Sequence, residues 1–72
     1  MAKNLLLTEL HDDGKSERTL VHWRRVIRVV PRRVEVGGSR MLLNDGKWIT
    51  VNQSLKQITA AVRRDVPVVE LK

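Results

Sequence analysis

The chain has 72 residues, 42% hydrophobic and 31% charged, with no cysteine and two aromatics, Trp23 and Trp48. That is one small domain, 1–72, and a chain this short buries only about 60% of the surface it exposes when unfolded. It is too apolar for a disordered tail and has no run near the roughly 20 apolar residues of a membrane span. The lack of cysteine excludes disulfide frameworks, thiol catalysis and thiolate zinc sites, and it fits a reducing cytoplasm, the expected location.

Charge is unevenly placed. Residues 18–40 hold seven arginines (Arg18, Arg24, Arg25, Arg28, Arg32, Arg33 and Arg40) against one acid, Glu35, so this stretch carries the whole formal +6. Elsewhere seven bases balance seven acids.

In chain order, Leu5–Leu10 is a short apolar run before the hydrophilic His11-Asp12-Asp13-Gly14-Lys15-Ser16, which predicts a strand and a loop. Residues 1–8 contain only three consecutive leucines, too few for the about 7–15 apolar residues of an export signal, so no export is expected. Thr19–Trp23 is again β-prone and predicts an antiparallel partner for the first strand. Over 23–30 two patterns compete. Trp23, Val26, Ile27 and Val30 follow a helical period, whereas the β-branched Val26, Ile27, Val29 and Val30, with Pro31 after them, favour extended backbone. The β-branching predicts a tight turn near 23–25 and then a strand, with a short helix as the competing reading.

Val34-Glu35-Val36 alternates, Gly37-Gly38 suits a two-residue hairpin turn, and Ser39–Leu43 runs back. Asn44-Asp45-Gly46 is a second turn signal before Lys47–Val51, which predicts a three-stranded meander. Ser54-Leu55-Lys56-Gln57 matches a capping box and starts a helix to Arg64, with Leu55, Ile58 and Val62 on one stripe and Arg63 and Arg64 in the last turn. The tail, Val66 to Leu71, is apolar enough to add an edge strand or dock on the sheet. The expected fold is therefore α+β: a small antiparallel sheet of four or five strands, covered by one C-terminal helix.

No catalytic set is visible. His11 and His22 have no nucleophile partner in any motif, Ser16, Ser39 and Ser54 have turn or cap explanations, and the glycines at 37–38 precede no helix that would make a phosphate loop. Glu9, Asp12 and Asp13 lack calcium-loop spacing and read as a solvated loop. Neither an enzyme, a metal, a cofactor nor a small-molecule substrate is expected.

The arginine stretch points to a partner instead. Arg presents a planar fork suited to phosphates and carboxylates, and uncompensated charges repel one another in a folded chain. The candidate contacts are Arg24, Arg25, Arg28, Arg32, Arg33 and Arg40. Trp48 joins them as an anchor, because alternation places it with Thr50 and opposite Ile49 and Val51. Two aromatics make a poor stacking platform for single strands, and no helix-turn-helix pattern appears.

The succession Leu7-Thr8-x-Leu10, Gly14, Leu20-Val21, Ile27-x-Val29, Gly38-Ser39-x-Met41-x-Leu43, Asp45-Gly46-Lys47-x-Ile49-x-Val51, then Ser54 with Ile58 and Val62, resembles the small FlbD-like proteins. That resemblance covers roughly 5–62 and implies a strand-turn-cap fold; the family includes flagellar and swarming-motility regulators, with similar short modules in phages. The arginine block and Trp48 depart from its pattern. In kind, the chain is also similar to short phage-encoded regulators that dock on host RNA polymerase. The expected function is a non-catalytic adaptor regulating transcription by binding a host protein, an RNA polymerase subunit being the partner implied, with nucleic acid nearby, no membrane, and the bacterial host cytoplasm as its setting. Direct nucleic-acid binding and a motility role are the alternatives.

Overall fold

The computed structural model describes residues 2–72. Met1, the first residue of the segment read for an export signal, lies outside them. The architecture is α+β, as the sequence predicts.

β1 (Asn4–Leu10) and β2 (Ser16–His22) pair antiparallel along their whole length, with Leu5 opposite Val21 and Leu7 opposite Thr19. Side chains alternate between faces with period two, so Leu5, Leu7 and Val21 are buried while Leu6 and Leu20 share the other face. In the connecting loop, the His11 N–H donates to the Lys15 carbonyl at 2.9 Å and the Gly14 N–H to the His11 carbonyl at 3.0 Å. The Asp13 carboxylate accepts the Lys15 N–H at 3.0 Å. The same three bonds recur at Leu43–Lys47, where Asp45 accepts the Lys47 N–H. Asp-Gly-Lys closes both loops: the Asp side chain imitates a backbone turn and Gly takes the positive φ that a three-residue hairpin needs.

After β2 the chain makes a single 3₁₀ turn (Trp23–Arg25), then β3 (Val26–Pro31). His22 Nδ1 accepts the Arg24 N–H and caps that turn. The competing helix does not form, and the ladder explains its false period. Val26 pairs with Leu43 and Arg28 with Leu42, so Ile27 is an extra residue in a β-bulge. The bulge returns Val29 to the same face as Val26, opposite Met41. Apolar residues three apart thus share a face without any helix.

β4 (Ser39–Leu43) and β5 (Trp48–Val51) complete the meander, but its first limb is β3 and not 34–36. Residues 34–36 form a turn, held by the Val36 and Gly37 N–H groups donating to the Arg33 carbonyl, and Val34 is 95% exposed. Pro31 ends the regular strand and the connection runs from 32 to 38. Gly38, at φ +78°, sits where any Cβ would overlap the Val51 carbonyl oxygen, so its role is close backbone approach. Ser39 lies in the sheet with its side chain buried, not in a turn.

α1 (Leu55–Val62) starts from the expected capping box: Ser54 Oγ accepts the Gln57 N–H and Gln57 Oε1 accepts the Ser54 N–H. It ends at Val62, so Arg63 is the C-cap and Arg64 lies beyond, correcting their placement in the last turn. Ile58, Ala61 and Val62 are buried against the inner sheet face with Leu5, Leu7, Met41 and Val51. The tail adds β6 (Val68–Glu70). Among the described residues the sheet has six strands: five run in the order β2-β1-β5-β4-β3, and β6 fills the gap beside the first half of β1. That last pair is parallel, Leu5 opposite Val69, and every other pair is antiparallel.

Candidate partner-binding face

The register sets which arginines meet. On the sheet face away from α1, one cross-strand row is Arg28, Leu42 and Trp48; the next is Val30, Arg40, Thr50 and Leu10. Arg32 follows by alternation. It lies opposite Gly38, whose N–H-to-carbonyl partner it is, and borders a hollow with Leu10 and Thr50. The Arg40 guanidinium stands over the Trp48 ring, 4.9 Å from its centroid, and Trp48 is 41% exposed. Leu42 and Val30 are half-buried between the arginines. Both are legible from the alternation around Met41 and Val29, yet the sequence reading assigned neither to the face.

Arg28, Arg32 and Arg40 therefore share one uncovered face with Trp48. The structure sets the other three candidates apart. Arg25 reaches Asp45 at 3.3 Å and Asn44 Oδ1 at 3.5 Å, holding the β4–β5 turn. Arg33 pairs with Glu35 at 3.8 Å on the hairpin tip. Arg24 borders a shallow hollow with Ala2, Lys3, His22 and Trp23. Arg18 gives one N–H to Thr8 Oγ1 at 2.8 Å and lies 3.7 Å from Glu70. Arg28, Arg32 and Arg40 make no ion pair among the described residues. Their charge is uncompensated, and the fork of each guanidinium is open to an outside acceptor.

Acidic side chains gather at the far end of β1 and β2, though not as Glu9 with Asp12 and Asp13. Glu9 and Glu17 stand directly opposite each other, and His11 lies between them, 2.8 Å from Glu17 and 3.8 Å from Glu9. The Glu17 hydrogen bond, aided by the charges of Glu9, Glu17 and Asp13, raises the His11 pKa above its ordinary value, while partial desolvation opposes it. When protonated, His11 thus bridges two carboxylates that would otherwise repel.

No helix among the described residues is long and apolar enough to cross a membrane. Comparison with known protein families, with curated proteins and with solved structures finds no match.

Proposed function

We propose that this chain is a non-catalytic adaptor that binds an acidic surface of a protein partner through Arg28, Arg32, Arg40 and Trp48. The observation that carries the reading is the gathering of three arginines, none with an acid partner among the described residues, on the sheet face that the helix does not cover. Apolar Leu42 and Val30 between them suit a protein surface, where aromatic and arginine anchors sit in an apolar centre. The partner proposed is a component of the host transcription machinery, an RNA polymerase subunit, met in the bacterial cytoplasm. The similarity in kind to short phage-encoded regulators supports that assignment. Affinity capture from nuclease-treated bacterial lysate tests it: a polymerase subunit is retained, and retention of a flagellar component in its place overturns the transcription assignment.

One observation favours direct binding to nucleic acid: the Arg40–Trp48 stack offers a base one aromatic surface beside two more cations. That reading requires affinity for bare single strand or duplex to fall steeply with salt.

A further inference from the structure

β3 has β4 on one side and no strand on the other among the described residues. Because the Arg32 N–H points at Gly38, the alternation of an antiparallel ladder turns the backbone of Pro31 and of Val29 towards the free edge. Val29 presents an N–H and a carbonyl there, and Pro31 a carbonyl alone. The bulge at Ile27 and the missing N–H of Pro31 keep this edge from accepting long, unselective strands.

An apolar groove runs along the inner side of the same edge. Trp23 and Val29 face Leu55, Ile58, Thr59 and Val62 of α1 around an open hollow of about 300 Å³. Leu55 stays 37% exposed although it belongs to the helix's apolar stripe. Arg63 borders this hollow, and Lys56 the one adjoining it past Leu55 and Thr59. On the outer side of the edge stand Arg28 and Arg32, flanking Val30.

We infer that β3 and α1 form a receptor for an extended segment of the protein partner in which apolar and acidic side chains alternate. The inference rests on the adaptor reading and names the chemistry of its partner. A segment laid along β3 sends successive side chains to opposite faces. One set fills the groove between Val29 and α1, and the other brings carboxylates to Arg28 and Arg32. A second copy of this chain fits poorly, since joining two β3 edges sets arginines of both copies on neighbouring strands.

The test uses a blocked peptide of about eight residues with alternating Leu and Glu, and a control with all Leu preceding all Glu. In a Trp48→Phe chain, Trp23 in the groove is the sole reporter. The alternating peptide shifts Trp23 emission, protects the Val29 amide from exchange, and binds about tenfold or more tightly than the control. Leu55→Glu places an acid in the first helical turn, where it suits the helix dipole, and removes most of that affinity. Arg28→Glu with Arg32→Glu also weakens binding. Equal binding of the two peptides, indifference to Leu55→Glu, or self-association through β3 overturns the inference. The two readings separate: if lysate capture persists without peptide selectivity the groove falls, and if selectivity persists without capture the transcription adaptor falls.

Discussion

Arg40 stacks on Trp48 although the two are not directly opposite; Arg40 pairs with Thr50, Leu42 pairs with Trp48, and the contact runs diagonally across the β4–β5 ladder. The contact holds a cation over the ring face, 4.9 Å from its centroid. One interaction therefore orders both residues, while Arg40 makes no ion pair among the described residues. Trp48→Ala is expected to lower stability by about 1–2 kcal/mol, through lost cation–π attraction and lost partial burial, whereas Trp48→Phe retains most of it. Urea denaturation midpoints measure the difference, and equal midpoints for wild type and Trp48→Ala would contradict it.

Gly37 and Gly38 both have positive φ, but only Gly38 lies against backbone. Gly37→Ala should cost about 1–2 kcal/mol, the penalty of left-handed backbone alone. Gly38→Ala adds an overlap with the Val51 carbonyl that no side-chain movement relieves, so a loss of about 3 kcal/mol or more is expected. Thermal melts of the two variants rank them, and the reverse order would rule out the close-approach role.

Two buried polar side chains should respond in opposite ways. Gln53 Oε1 accepts the Thr8 N–H at 3.0 Å and its Nε2 donates to Thr8 Oγ1 at 3.2 Å, tying the start of the helical segment to β1. Gln53→Ala leaves that N–H unpaired beside a cavity and is expected to cost about 2–4 kcal/mol. Ser39 Oγ is buried with no hydrogen-bond partner among the described residues. Ser39→Ala removes an unsatisfied group and should be neutral or stabilising by up to about 1 kcal/mol. Denaturant unfolding of both variants checks the contrast.

His11 gives the fold a pH dependence. Its folded pKa is raised above 6.5, chiefly by the Glu17 hydrogen bond, so its contribution is fully present below that ordinary value and is lost as pH rises through the raised one. An NMR titration should place His11 above 6.5, and Glu17→Gln should lower it. The stability advantage of wild type over His11→Gln should shrink as pH rises through the raised pKa. A titration midpoint at or below the ordinary value refutes the bridge.

Much of this fold was legible. Leu5–Leu10 and Thr19–Trp23 announce a hairpin, Asp45-Gly46 a turn, and Ser54 with Gln57 a helix start, because each depends on residues close in sequence. The failures come where distant contacts decide. Val34 and Val36 look like strand, yet Pro31 ends β3 early and the Gly38–Val51 approach fixes where β4 begins. Val66–Leu71 showed its apolar character but not its parallel seat beside β1. For the candidate face, the sequence located the charge but not its grouping. Arg28 stands with Arg40 and Trp48 because Val30 pairs with Arg40, Arg28 with Leu42 and Leu42 with Trp48, and no composition count records that register.

The most direct measurement compares two charge reversals of equal size, Arg28, Arg32 and Arg40 to Glu against Lys3, Arg24 and Arg33 to Glu, in capture from nuclease-treated lysate. Both change the net charge by the same amount, so a general electrostatic effect treats them alike. The partner should be lost with the first triple and kept with the second, both chains remaining folded by circular dichroism. Equal retention, or equal loss, would contradict a binding face made by Arg28, Arg32 and Arg40.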